Sequence, residues 1–278
     1  MKLVSWNILH GQSIPPTPES SSEVLENIKT AANRLSDAGV EVLALQEVDH
    51  GQERSGKIDQ VEVLATQLGA QYWAFAPTVV GTPGEQWRSL SHGDDLLITP
   101  KRSSSTQLPR YGIGLISKIP VTAWHRLELG QSRVGLPLAI PAGGEEGARK
   151  KIQFIYVKDE PRVALAAELA NGFTVVVTHL SFVPFVNYFQ LMKIRRWLKN
   201  IPGEHLIIGD LNLGWSLPVR GTSWRSLNER NTYPSWGAKI QFDYITAHIP
   251  SFGERHSSPL EIPELGISDH LPIGVEIN

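Results

Sequence analysis

The chain has 278 residues, 41% of them hydrophobic and 19% charged, with no cysteine and a formal net charge of −2. This describes an ordinary soluble globular protein with a substantial core, and it excludes disulfides and thiolate metal sites, so a bound metal would need oxygen or imidazole ligands. No apolar run is long enough to span a bilayer, and the slightly acidic balance disfavours sequence-independent duplex binding, which draws on a basic excess.

In chain order, Lys2 to Trp6 reads as a first strand, so close to Met1 that no signal peptide is expected and the cytoplasm is the default compartment. Glu23 to Ala38 has helical periodicity and stops at Gly39. Val40 to Gln46 reads as a buried strand, Asp49 to Lys57 as a polar loop, and Asp59 to Leu68 as a helix ending at Gly69. Tyr72 to Pro77 is a further strand. Gly81 to Tyr111, rich in Gly, Pro, Ser and charge, is longer than a usual connection and reads as a lid or insert.

Strands resume at Gly112 to Ser117 and Val121 to Leu127, and Ala142 to Lys151 reads as an exposed turn. Ile152 to Val157, Val163 to Leu169 and Phe173 to Thr178 continue the series, the last two joined by the hairpin signal Asn171-Gly172. Asn187 to Lys199 is helical, its basic residues forming a solvated face. Leu206 to Gly209, Phe242 to Ala247 and Ile273 to Ile277 complete the strands. With no repeat and no long linker, one mixed α/β domain over residues 1–278 is expected.

Chemistry-bearing residues gather at predicted strand ends. Asn7 follows the first strand and Glu47 the second; His179 lies in Thr178-His179-Leu180, and Asp243 in Asp243-Tyr244-Ile245. Gly209-Asp210-Leu211-Asn212 follows a buried apolar run. Strand alternation would point Asp210 and Asn212 the same way, pairing a carboxylate with an amide able to hold an oxyanion. Ser268-Asp269-His270 sets a carboxylate beside an imidazole just before the last strand. Alone, each reads more simply as a turn, cap or surface residue.

Taken in order, Trp6-Asn7, Gln46-Glu47-Val48, the Gly112 to Pro120 segment, Thr178-His179-Leu180, Gly209 to Asn212, Asp243-Tyr244-Ile245 and Ser268-Asp269-His270 resemble the endonuclease/exonuclease/phosphatase superfamily, DNase I-like metal-dependent phosphoesterases. The resemblance implies a four-layer α/β/β/α sandwich of two mixed, mainly antiparallel sheets. It also implies a Mg2+-dependent hydrolase (Mn2+ as a substitute) that attacks a phosphoester in line with water. Glu47 would ligate the metal, Asn7 would orient that carboxylate or the metal's waters, and Asp269 would stand near the metal or its water shell. Asp210 would activate the water, Asn212, His179 and His270 would contact phosphoryl oxygens, and Asp243 would fix the His270 ring.

His179 stands where the apurinic endonucleases carry a tyrosine, so the resemblance favours the DNase, deadenylase and sphingomyelinase branches. The expected partner is a phosphoester substrate, whether small molecule, lipid headgroup or nucleic acid, with the first two favoured; no protein partner is expected. The alternatives are a nuclease acting on single-stranded or structured nucleic acid and, from another class, a non-catalytic binding module on the same fold. Arg54, Asp59 and Arg162 read equally well as rim or structural residues and stay outside the catalytic set. Ser181 to Phe189 reads first as a hydrophobic staple feeding the helix that follows.

Overall fold

A computed structural model describes residues 1–14, 21–104, 106–141 and 152–278. Two sheets are built from strands whose hydrophobic runs are continuous rather than alternating. In β1 (Lys2–Asn7), Leu3 faces the space between the sheets while Val4 and Trp6 face outward, and all three are buried. The same holds in β2 (Val42–His50), where Val42 and Ala44 face inward and Leu43 and Leu45 outward, and in β11 (Glu204–Asp210), where Ile208 faces inward and Ile207 outward. A sheet covered on both faces needs both side-chain rows apolar. Each such Leu, Ile or Val contributes roughly 1.5–3 kcal/mol by leaving water.

The outer layers are helical. Helix α1 (Ser21–Asp37) buries Val24, Ile28, Ala31 and Leu35 on one stripe against the first sheet. Helix α2 (Gln60–Leu68) lies beside it, capped by the Asp59 carboxylate, which accepts from the Glu62 N–H, and closed by Gly69 at φ +68°. Helix α3 (Val186–Leu198) covers the second sheet through Leu191, Ile194 and Leu198. The order of layers is therefore α/β/β/α, as expected.

The first sheet runs β14-β15-β1-β2-β5-β3-β4, where β3 is Tyr72–Gly81, β4 Trp87–Ser89, β5 Arg110–Ser117, β14 Ser257–Pro259 and β15 Ile273–Ile277. The second runs β12-β13-β11-β10-β9-β6, where β6 is Val121–Gly130, β9 Arg162–Leu169, β10 Phe173–His179, β12 Trp224–Ser226 and β13 Asp243–His248. In both sheets most neighbours are antiparallel, but β1–β2 and β10–β11 are parallel. Those two pairs bring Asn7, His179 and Asp210, the last residues of β1, β10 and β11, and Glu47, at the bulge in β2, to one rim. Antiparallel β13 then sets its first residue, Asp243, in register with Asp210.

Several elements differ from the sequence expectation. Strand β2 runs on to His50, so the polar loop shrinks to a 3-10 turn at Glu53–Ser55. Within the expected lid or insert from Gly81 to Tyr111, β4 pairs with β3, and Arg110, fully buried, donates to Asp95 (3.1 Å) and Ser104 (2.7 Å). A two-stranded ribbon, β7 (Leu136–Pro141) with β8 (Ile152–Val157), stands apart from the main sheets, and its first strand was not expected. The expected turn at 142–151 lies outside the described residues. No staple forms at 181–189: Val183 is buried, but Phe185 and Phe189 are exposed.

Candidate active site at the sheet rim

Asn7 ends β1 fully buried, where its side chain cannot be left without partners. Its amide Nδ2 donates to Glu47 Oε1 (2.9 Å) and to Asp210 Oδ2 (3.2 Å), while its Oδ1 accepts from the Leu9 N–H. Glu47 comes to that place through a bulge. The β2–β5 register slips between Leu45 and Val48, and Glu47 takes φ +56°. A non-glycine residue in the left-handed region costs of order 1 kcal/mol and persists only where its surroundings demand it; here the bulge turns a carboxylate into the cleft.

Asp210 follows a glycine that its neighbours require. Gly209 has φ +137°, and a Cβ there would lie 1.9 Å from the Thr178 carbonyl oxygen of adjacent β10. Two histidines flank the Asp210 carboxylate, with His179 Nε2 at 3.5 Å and His270 Nε2 at 3.8 Å from Oδ2. Behind His270, Nδ1 donates to Asp243 Oδ2 (2.8 Å). Ser268, at φ +75°, ties the final turn to β1 by donating from Oγ to the Asn7 carbonyl (2.6 Å) and accepting from the His270 N–H.

Asn212 reaches the cleft by a route other than strand alternation. The strand ends at Asp210; Asn212 sits at φ +48°, its backbone N–H donates to Asp210 Oδ1 (2.9 Å), and its Nδ2 donates to the Leu180 carbonyl (3.0 Å). One of its two amide hydrogens is thereby used and the other remains for a ligand. Asn7, Glu47, His179, Asp210, Asn212, Asp243 and His270 thus converge. Asp269 stands behind them, its Oδ1 buried and without a hydrogen bond among the described residues.

Burial sets the electrostatics. It raises the Asp210 pKa to about 7, the effect of Asp243 adding and that of His270 opposing. Burial also disfavours charge on His270, but Asp243, Asp210 and Asp269 outweigh it and push that pKa up to about 10. His179 goes the other way: burial, then Arg162 and His270, hold it well below its usual value, so its ring is neutral. For Asp269, burial and the Glu47 carboxylate raise the pKa to about 6.

The cleft, of about 590 Å3, extends beyond this cluster to residues that the sequence left undecided or unnoticed. Arg162 lines it, paired with Glu160 (3.1 Å), as does Arg54, whose Nε and Nη2 grip both oxygens of buried Asp49 (2.8 and 2.7 Å). Lys158 lies over the Trp87 ring at 5.0 Å. Glu160-Pro161-Arg162 was a visible signal. The Lys158–Trp87 contact joins distant segments and had none. Asp59 is structural, capping α2 and pairing with His50 (2.9 Å).

Residues 4–270 match the Endonuclease/Exonuclease/phosphatase family. The chain belongs to that family. Solved relatives share the fold at low identity. A family protein from Leptotrichia buccalis C-1013-b is 14% identical with a TM-score of 0.57, over 100% of this chain and 99% of that one. A mannosyl-6-phosphatase from Bacteroides thetaiotaomicron VPI-5482 is 11% identical with a TM-score of 0.57, over 100% and 99%. A humanized D. rerio TDP2 is 13% identical with a TM-score of 0.54, over 100% and 98%. No curated protein matches. As in the family resemblance, the two sheets form a sandwich, and no described helix is long and apolar enough to cross a membrane.

Two groups in this family member could hold a divalent ion. Asp210, Asp243 and His270 place ligand atoms within 4.8 Å of one another. However, a His270 ring that donates through Nδ1 and carries a proton on Nε2 has no lone pair to offer. Glu47 and Asp269 fit better. The Glu47 carboxylate raises the cost of charge on Asp269, whose Oδ1 has no partner among the described residues, and both are hard donors of the kind Mg2+ prefers.

Proposed function

We propose that the protein hydrolyses phosphoesters in water with Mg2+ or Mn2+ as cofactor, acting on a small or lipid-like phosphodiester or phosphomonoester. The observation that carries this reading is the Asp210 carboxylate, buried, raised toward neutrality and set between a neutral and a charged imidazole. At pH 7 such a carboxylate divides between its two protonation states, the condition under which a general base is most effective.

Asp210 orients a water and takes its proton as the water oxygen bonds to phosphorus; the ester P–O bond opposite breaks, and the alkoxide leaves and is protonated from solvent. His270, charged through Asp243, faces the growing negative charge on the phosphoryl oxygens. Asn212, through its unused amide hydrogen, and neutral His179 donate to the same oxygens, which is where electrostatic stabilisation is worth most. Glu47 and Asp269, with Asn7 beside them, would hold a divalent ion whose contribution is to neutralise charge on the bound phosphate. Arg162 and Arg54, which also line the cleft, add positive potential for an anionic substrate.

Purified protein should cleave bis-p-nitrophenyl phosphate with Mg2+ or Mn2+ and lose that activity in EDTA. No turnover with any divalent ion over a panel of phosphoesters would count against the reading. A second reading, cleavage of single-stranded or structured nucleic acid, is favoured by the Trp87 ring in the cleft and by Trp215, 86% exposed nearby on the chain from Asn212. Steep salt dependence of oligonucleotide cleavage would select it.

A further inference from the structure

The opposite end of the second sheet carries a cavity that the phosphoester chemistry does not use. It has a volume of about 410 Å3 and lies between the carboxyl half of α3, the start of β11, the start of β12 and the end of β13. His205 is the second residue of β11 and Asp210 its last, so five residue steps of strand, about 16 Å, separate the two places.

Its lining is rich in basic side chains. Arg195, Arg196, Lys199, His205 and His248 surround it, Trp224 forms part of the wall, and no described carboxylate lines it. Helix α3 contains no acidic residue, and Glu204, next to His205, is gripped by Arg255 at 2.5 and 2.7 Å. None of Arg195, Arg196 and Lys199 forms an ion pair among the described residues. Like charges held together without a counterion repel, and beside burial, the larger cause, His205, Arg195 and Lys199 help to lower the His248 pKa.

Arg195 supplies the second, independent observation. Its side chain is 7% exposed, held by a bond to the Pro218 carbonyl and lying over the Trp224 ring at 5.2 Å, yet Nε has no partner among the described residues. Burying a guanidinium without a carboxylate is unfavourable, and burial lowers its pKa to about 10. An anion would relieve both the repulsion and the unmatched charge. The geometry around it suits a tetrahedral oxyanion: a planar guanidinium fixed by its stack, flexible Arg196 and Lys199 at the rim, and two imidazole rings 6.1 Å apart.

We propose that this cavity binds a phosphate group, free or carried as a monoester on a small molecule, separately from the catalytic cleft. The test uses the full chain without metal and follows its histidine ring resonances while sodium phosphate replaces chloride at constant ionic strength. His205 and His248 should shift along a saturable curve. The double variant Arg196→Gln/Lys199→Gln, altered only at exposed side chains, should raise the Kd read at those rings roughly tenfold or more, while the response of His179 and His270 stays as in the parent. Glycerol 1-phosphate in a parallel titration identifies the source: tighter saturable binding than inorganic phosphate means the carried group, weaker means the free ion. Linear, unsaturated shifts at His205 and His248, or the same Kd in the double variant, would overturn the proposal. Shifts confined to His179 and His270 would do the same, and would leave the catalytic reading untouched.

Discussion

Asn7 and Asp210 belong to different sheets and lie 203 positions apart, yet the amide of one donates to the carboxylate of the other across 3.2 Å. The same nitrogen also holds Glu47, so a single buried side chain sets the spacing between the proposed metal ligand and the proposed general base. Replacing Asn7 with alanine should therefore loosen both. The expected result is a 10- to 100-fold fall in turnover, about that of losing a partner which orients metal ligands, and a higher Mg2+ concentration for half-maximal rate. Steady-state kinetics over a Mg2+ series reads both, and unchanged Mg2+ dependence would remove the link to Glu47.

Asp243→Asn tests the ring behind the reaction. The amide fills the same space but no longer supports charge on His270, so turnover should fall by roughly 10^3 to 10^4, as when an orienting carboxylate is removed from a catalytic histidine. Stability should change too. In the parent, His270 is protonated up to about pH 10 in the folded state but only to 6.5 when unfolded. The folded form thus holds the extra proton between those values. The stabilisation is complete below pH 6.5 and is lost as pH rises through 10. Denaturant melts from pH 6 to 10 should show this decline in the parent and a flatter profile in Asp243→Asn.

Strand ends were legible because buried runs such as Leu206-Ile207-Ile208 stop abruptly at polar residues, and the motif order then named the fold. What the residues could not reveal depended on backbone irregularity. Strand alternation put Asn212 beside Asp210 on one face, whereas a left-handed turn delivers it. The bulge that aims Glu47 comes from a register slip against β5, which is a property of the pair and not of either strand. Short pairings such as β12 and β14, three residues each, carry too little periodicity to read. Arg110 gave no sign that it would organise the 81–111 stretch, since its partners Asp95 and Ser104 are matched only in three dimensions.

His10 lines the cleft with its pKa lowered to about 3, by burial first and then by Arg54. The unfolded chain takes up a proton at 6.5 that the folded chain refuses until about 3, so this group removes stability as pH falls through that window and costs nothing above it. His10→Asn, a side chain that tolerates the φ of +45° at this position, should flatten the acid limb of a stability profile between pH 6.5 and 3. A limb as steep as the parent's would contradict the assignment.

Arg54 is the partner of a carboxylate with no exposed surface, since Asp49 is fully buried. Arg54→Met should destabilise the protein by roughly 3–5 kcal/mol, because it strands that charge. Adding Asp49→Asn should recover most of the loss, as the neutral amide needs no counterion. Chemical denaturation of the single and double variants measures the difference, and equal instability in both would mean that packing, not charge, is what Arg54 supplies.

The most direct measurement is a crystal of the protein soaked with Mn2+ and inorganic phosphate, with the metal located by anomalous scattering. One ion is expected against the carboxylates of Glu47 and Asp269, and a phosphate within hydrogen-bonding distance of His179, Asn212 and His270, while His270 keeps its bond to Asp243. An ion bound instead to His270 between Asp210 and Asp243, or a cleft that takes up neither ion nor phosphate, would contradict it.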